Sequence, residues 1–236
     1  MPLADSIADL RDRSLVDLRS AHDYFSDTKN AWSVVDLSIQ HGNKYSFRNL
    51  TTGSVTTEAE LTNKVRGYIR QHTESTFQQF VGVFESFLFD LLECWLVNYP
   101  KSMGNKQLDF KTVLDASSRD EIILRMVQKE LNELKYKRPV DWFNYLNDRV
   151  NLGCPSVTEV EQISEIKAAR DVLVHNRGII GKEYVSKAGH LARYELGKQI
   201  EIPTSYHTKS WKLLYKVVDD ISTAAIARAS LSDPST

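Results

Sequence analysis

The feature that most constrains the fold is a long run of helical apolar periodicity between Leu61 and Val97. Apolar side chains recur there every three or four residues, and from Phe77 onward they surround the helix on nearly all sides. A surface helix keeps one polar face, whereas a helix that is apolar all round is buried. The sequence therefore predicts a long central helix that ends before Pro100 and Gly104, with the other elements packed around it.

The other segments with a regular apolar period are also helical. Further helices are predicted over residues 5–40 and 108–114, from 118 to about 136, from 139 to before Gly153, over about 156–177, and over 210–230. Strand-like alternation is confined to the polar stretch 41–58, which suits a loop or a small hairpin. Residues 179–207 show no regular period and are expected to be irregular.

These patterns predict an all-α fold in a single domain covering residues 1–236. Residues 1–60 would form an N-terminal helix followed by the polar loop or hairpin, and residues 61–230 would form the core of a helical bundle. Hydrophobic residues make up 42% of the chain, which is enough to build a sizeable core.

Charge limits the classes of ligand. The net charge of -1 argues against a protein coated in positive charge for general DNA binding. Basic residues are nevertheless concentrated between Lys167 and Lys198, where seven lysines and arginines face three acidic residues. An anionic ligand at this part of the chain is plausible, although many solvated surfaces have a similar composition.

Other common site classes are not indicated. The two cysteines, Cys94 and Cys154, are too few for a disulfide scaffold or a structural zinc site. The histidines at 22, 41, 72, 190 and 207 form no ligand spacing, so we expect neither a metal nor a cofactor. There is no apolar signal segment at the N-terminus and no run of membrane-spanning length, so a reducing cytoplasmic location without membrane contact is expected.

The densest chemistry lies in the sequence from Arg170 to His175, at the end of a predicted helix that Gly178 would cap. An arginine supplies a fixed positive charge, and a histidine titrates near neutral pH. Asp171 is four residues before His175, on the same helical face, so its carboxylate is in a position to orient the imidazole. Arg170, Asp171 and His175 are therefore the candidate catalytic residues.

Four further residues are candidates for substrate binding. Asn176 and Arg177 follow the histidine and add donors at the same helix end. Glu85 is a carboxylate on the central helix, where it either lines a cleft beside the motif or pairs with a base. Tyr184 is the fourth, although a tyrosine is more often a packed aromatic with a hydrogen-bonded hydroxyl.

This set suits ribonucleotide transesterification, but only in part. One group must take the proton from the 2′-hydroxyl, another must protonate the departing 5′-oxygen, and a cation must stabilise the charge on the phosphorus oxygens. One histidine supplies one proton-transfer group. A homodimer that apposes two copies of the motif helix would supply the second, so the chemistry predicts a composite site across a two-fold axis.

The segment Arg170–His175 resembles the Arg-x(4–6)-His signature of the HEPN superfamily, and the polar Asp171 after the arginine fits that signature. Asn176, Gly178 and Tyr184, with the segments 84–87 and 197–200, are similar to the HEPN group related to RiboL-PSP proteins. The resemblance implies a helical bundle, a dimeric composite site, and metal-independent cleavage of an RNA substrate by Arg170 and His175. It also implies a cytoplasmic toxin or phage-defence setting, with an antitoxin or effector as a possible partner.

Two other hypotheses remain open from the residues. The same basic cleft suits a non-catalytic module that binds a nucleotide, an RNA or a protein, since HEPN-like scaffolds need not retain catalysis. Alternatively, the Arg–His pair only caps its helix, because basic side chains are favoured in last turns.

Overall fold

The chain is all-α. The computed structural model describes residues 2–104 and 107–231, which form eight α-helices and one two-stranded hairpin. In chain order the elements are α1 (Leu3–Gln40), β1 (Phe47–Arg48), β2 (Val55–Thr56), α2 (Glu58–Asn98), α3 (Phe110–Leu114), α4 (Arg119–Lys135), α5 (Pro139–Val150), α6 (Val157–His175), α7 (Lys182–Ala188) and α8 (Thr204–Leu231), with 3-10 turns at Pro100–Met103 and Gly189–Leu191. The predicted fold class is confirmed.

The long helix α2 lies at the centre, as its apolar pattern predicts. It packs against α1, α8, α4 and α6, and nearly every apolar side chain from Phe77 to Leu96 is buried. Buried side chains from all of these helices form one continuous hydrophobic cluster. Burial of aromatic and aliphatic side chains on this scale is the main stabilising contribution to such a bundle.

The region before α2 follows the sequence pattern closely. Helix α1 lies along α2 and α8, and residues 47–48 pair antiparallel with residues 55–56 in a small hairpin. Helix α2 then begins with a capping box, in which Glu60 accepts a hydrogen bond from the Thr57 backbone N–H at 2.9 Å.

The prediction for residues 179–207 is wrong in part. Helix α7 and a 3-10 turn lie within this segment, and α8 begins at Thr204, directly after Pro203, rather than at Ser210. Helix α7 has only seven residues, of which Tyr184 and Ala188 are buried. A helix of about two turns with one buried pair is too short to show a repeating apolar period, so the sequence does not reveal it.

The early start of α8 also places His207 in the core. Its Nε2 lies 2.9 Å from the Thr76 hydroxyl on α2, and its ring packs on Phe25 and Phe80. His22 and His72, which the sequence gives as isolated, also contact Phe25. Burial, together with the neighbouring His22, His72 and Lys29, lowers the pKa of His207 to about 3.

The free energy of unfolding should therefore fall as the pH drops below about 6.5, the usual pKa of an unfolded histidine. Between that pH and the folded pKa, the unfolded chain binds a proton at His207 that the folded chain excludes. The expected slope is about 1.4 kcal/mol per pH unit. Urea unfolding at several pH values from 7.5 to 5 measures it.

The control is His207→Gln, which cannot titrate. This variant is expected to be less stable at every pH, but its stability should vary less between pH 6.5 and 5 than that of the wild type. Equal slopes for the two proteins would show that His207 does not cause the dependence.

Candidate functional site

The motif helix α6 has well-defined ends. At its start, the Ser156 hydroxyl accepts from the Glu159 N–H at 3.3 Å, and the Glu159 carboxylate accepts from the Ser156 N–H at 2.8 Å. At its end, the backbone N–H of Gly178 donates to the Val172 carbonyl, six residues earlier, at 3.0 Å. The glycine thus satisfies a helix-end carbonyl, as predicted, but the left-handed residue directly after the cap position is Arg177, with φ 51°.

A short pairing of backbone segments fixes this end of α6. Ile180 donates to the Lys198 carbonyl at 2.9 Å, Ile200 donates to the Gly178 carbonyl at 2.8 Å, and Gly197 donates to the Ile180 carbonyl at 2.9 Å. Gly178 has φ +80°, and a Cβ there would collide with the Gln199 side-chain amide. His175, the last residue of α6, is thus carried on an anchored helix end.

Three polar side chains form one row along α6. Lys167, Asp171 and His175 are spaced four residues apart and therefore share a face. All three line a groove of about 580 Å³, which we call the basic groove. Its other walls come from the turn between α4 and α5 and from α7 with the residue before it.

The basic groove carries an excess of positive charge. Its basic side chains are Lys135, Lys137, Arg138, Lys167, Lys182 and Lys187, and its carboxylates are Asp171 and Glu183. Six cations against two anions leave an excess of four positive charges among the lining residues of this open groove, which also contains His175, although Arg138 is paired with Asp141 beyond the lining. Such a surface attracts anions with several charges, and a phosphodiester chain has them at regular intervals.

Arg170 points away from this groove, toward α2. One of its terminal nitrogens contacts the Glu85 carboxylate, and the other lies 3.2 Å from Asp171 Oδ1. Lys167 Nζ lies 2.8 Å from both Asp171 oxygens and 3.3 Å from Glu85 Oε1. The four side chains form a half-buried cluster of two cations and two anions, which we call the charge cluster.

The charge cluster bears on the role predicted for Asp171. Its carboxylate is shared between Lys167 and Arg170, and within the described residues it makes no hydrogen bond with His175. The His175 side chain is exposed at the end of the basic groove. Orientation of the imidazole by Asp171 therefore stays a prediction.

The four predicted substrate-binding residues lie in different surroundings. Asn176 lines the basic groove, but its side-chain amide donates to the Ile179 carbonyl. Arg177 is exposed, in a left-handed conformation with φ 51°, and does not line the groove. Glu85 belongs to the charge cluster. The Tyr184 hydroxyl is buried, so it presents no free polar atom to a ligand.

A buried carboxylate that sequence reasoning missed holds Tyr184 in place. Glu165, 5% exposed, accepts from the Tyr184 hydroxyl at 2.8 Å, from Arg193 Nε at 3.0 Å and from the Tyr206 hydroxyl at 2.6 Å. The Arg193 guanidinium also lies 3.4 Å from the centre of the Tyr206 ring. The available signal was an acidic residue between Ile163 and Ile166 in the apolar stripe of α6.

Burial sets the protonation of both tyrosines in this network. It raises the pKa of Tyr184 to about 12, and it raises the pKa of Tyr206 as well, with the negative Glu165 adding to both effects. Both hydroxyls therefore remain donors to the carboxylate at any ordinary pH. The network joins α6 to α7, α8 and the segment between them.

The described residues contain no group of three or more His, Cys, Asp or Glu side chains placed to hold a metal ion. Within the same ranges, no helix combines the length and the apolar character needed to cross a membrane. Cys94 and Cys154 are free, half-buried thiols, and burial raises the pKa of each.

Comparison with known proteins gives no assignment. No protein-family model, no curated protein and no solved structure matches the chain. Inferences about function therefore depend on the geometry of the basic groove and the charge cluster.

Replacing Glu165 by alanine should lower the free energy of unfolding by about 3–5 kcal/mol, because a partly buried arginine and two tyrosine hydroxyls would lose their acceptor. Chemical denaturation measures this loss. The matched control is Glu161→Ala, one turn earlier on α6 and more exposed, for which we expect a change below about 0.5 kcal/mol. A similar small loss for both variants would contradict the structural role of Glu165.

Proposed function

We propose that the chain is a HEPN-type, metal-independent endoribonuclease. One observation carries the proposal: His175 is exposed at the end of a groove with an excess of four positive charges. A titratable ring beside a surface that attracts phosphates is the minimum needed for acid–base cleavage of RNA. The Arg-x(4)-His spacing and its flanking residues support the same family.

In the proposed reaction, a neutral His175 accepts the proton of a ribose 2′-hydroxyl, and the 2′-oxygen attacks the adjacent phosphorus. The bond from phosphorus to the 5′-oxygen breaks, and a protonated imidazole gives its proton to that oxygen. The products are a 2′,3′-cyclic phosphate and a 5′-hydroxyl end. Lysines of the basic groove would hold the flanking phosphates by charge.

Arg170 does not face the basic groove beside His175, where a role in stabilising the phosphorus oxygens would require it to be. Glu85 and Asp171 already neutralise its guanidinium, so it can stabilise the phosphorus oxygens only if a phosphate displaces one of these carboxylates. A guanidinium has five N–H donors, more than these two contacts use. Lys167 stands in the groove wall and is a second candidate for the same role.

The two proton transfers require a second imidazole, which a homodimer would supply. Exposed apolar side chains near the motif support such an interface. Val174 immediately precedes His175, Ile179 follows the helix end, and Leu196 precedes the segment that pairs with it, and all three are exposed. Exposed apolar groups around a polar site are typical of an association surface.

The proposed biological setting is a cytoplasmic toxin or phage-defence protein, with an antitoxin or effector as a further partner. The resemblance to the HEPN superfamily is the support for this part of the proposal.

A second candidate function is a non-catalytic module that binds a nucleotide or RNA. The neutralised state of Arg170 favours it, because the basic groove attracts an anion without a free arginine at the motif. This candidate predicts RNA binding that weakens with salt and leaves the RNA intact after long incubation.

For the nuclease, wild-type protein in EDTA should cleave single-stranded RNA and leave cyclic phosphate ends. His175→Ala is expected to lower the rate by about 10²–10⁴-fold, the usual contribution of a general acid or base. Arg170→Ala or Lys167→Ala should lower it by about 10²-fold, whichever cation stabilises the transition state. Gel electrophoresis of labelled RNA gives the rates and end groups.

The matched control is His190→Ala, which removes another exposed histidine outside the basic groove. Its cleavage rate should equal that of the wild type. Equal rates for wild type and His175→Ala would exclude the mechanism, and intact RNA that stays bound would favour the binding module.

A composite site should make cleavage depend on association. Activity per protomer is expected to rise with protein concentration, and Val174→Asp should lower both dimer content and activity by placing a charge in the interface. Val34→Asp, at a more exposed valine on α1, is the control and should change neither. Sedimentation and cleavage measured on the same samples test this, and a fully active monomer would contradict it.

A further inference from the structure

Tyr136, in the turn between α4 and α5, is the most exposed aromatic side chain around the basic groove. It is 94% accessible to solvent, although an exposed ring gains nothing from burial. It stands in the sequence Lys135-Tyr136-Lys137-Arg138, so cations flank it on both sides. Exposed rings between basic residues are typical of surfaces on which nucleobases stack while cations contact the backbone.

The position of Tyr136 is more specific than its exposure. It lines the basic groove that contains His175, and it also lines a shallow trough of about 470 Å³ on the surface of α4. The ring therefore stands where the two depressions meet. A chain lying in the trough must pass Tyr136 to reach the groove.

The trough follows one face of α4 and is lined mainly by polar and charged residues. Its lining residues recur every three or four positions and are Arg125, Gln128, Lys129, Asn132, Glu133 and Tyr136. Positions 125 to 136 span about 16 Å along the helix. The amide groups and Lys129 offer donors to phosphates and to base edges, whereas Arg125 is paired with Glu121 and Glu133 adds one carboxylate.

We infer that Tyr136 is a stacking platform for a base of single-stranded RNA, and that the strand passes from the α4 trough over Tyr136 into the basic groove. Lys137 contacts a backbone phosphate beside the stacked base; no ion pair occupies its side chain within the described residues. This inference rests on the proposed function for the identity of the ligand, but the binding track is separable from cleavage.

Single strands fit this surface better than duplexes do. A base stacks on an exposed ring only when its own face is free, and in a duplex both faces of an internal base are covered by its neighbours. A trough that runs along a single helix also accommodates one nucleic-acid backbone rather than two. The inferred binding surface is therefore expected to bind unpaired RNA.

The test is fluorescence anisotropy with a labelled 12-nucleotide single strand and the His175→Ala protein, which binds without cutting. Adding Tyr136→Ala should weaken binding by about tenfold, the loss expected for one base on one ring. Tyr136→Phe should bind like the parent, because it keeps the aromatic face, whereas Tyr136→Leu should bind like the alanine variant. Lys137→Ala should reduce the salt dependence by about one phosphate contact.

Two matched controls lie elsewhere. Tyr24 is an exposed tyrosine on α1 and Lys111 an exposed lysine on α3, and neither lines the groove or the trough. Alanine at either position should leave binding unchanged. Because Tyr136 makes almost no buried contact, its variants should also melt at the parent temperature.

The outcomes distinguish a failure of this inference from a failure of the proposed nuclease function. Unchanged binding by Tyr136→Ala, equal binding by the Phe and Leu variants, or tighter binding of the same strand annealed to its complement would each overturn the inference while cleavage could stand. RNA that binds through Tyr136 but is never cleaved by wild type would support the track and remove the nuclease. A parent protein that binds no RNA would overturn both.

Discussion

The carboxylate of Glu165 is the contact on which the shape of the candidate site depends. It is buried in α6 and accepts hydrogen bonds from side chains of α7, α8 and the segment between them. A buried carboxylate is stable only when donors surround it, so each of these segments must be in place for α6 to pack as it does. The wall of the basic groove formed around α7 is thereby fixed relative to the row of side chains on α6.

The motif helix separates two kinds of charge on its two sides. Toward α2, Arg170 and Lys167 meet Glu85 and Asp171 in a cluster without net charge. Toward the groove, cations outnumber carboxylates and His175 is open to solvent. Lys167 belongs to both sides, so a ligand phosphate that attracts it would also disturb the pairing of Arg170. The charge cluster and the groove are coupled through Lys167 and through Asp171, which also lines the groove.

The sequence predicts those parts of the molecule that depend on local periodicity. Helix α2 was predictable because its apolar side chains surround the axis, and the end of α6 was predictable because Gly178 is a typical cap. Helix α7 was not, because its seven residues are held by the hydrogen bonds of Tyr184 rather than by a repeating pattern. Arg170 and His175 are about 140° apart around the helix, and only the position of α2 decides which way the arginine points. The opposite wall of the groove comes from the turn around Lys137, some thirty positions earlier in the chain, and no local pattern connects it with α6.

The backbone pairing of residues 178–180 with 197–200 determines which parts of the basic groove can change in sequence without moving the end of α6. The residues between the two paired segments leave the end of α6 and return to it, so they form a loop whose two ends are hydrogen-bonded to each other. Changes in the sequence or length of that loop alter one wall of the basic groove, whereas His175 remains at the anchored end of α6. As long as Tyr184 and Arg193 keep their hydrogen bonds to Glu165, that wall can be remodelled while the position of His175 is preserved.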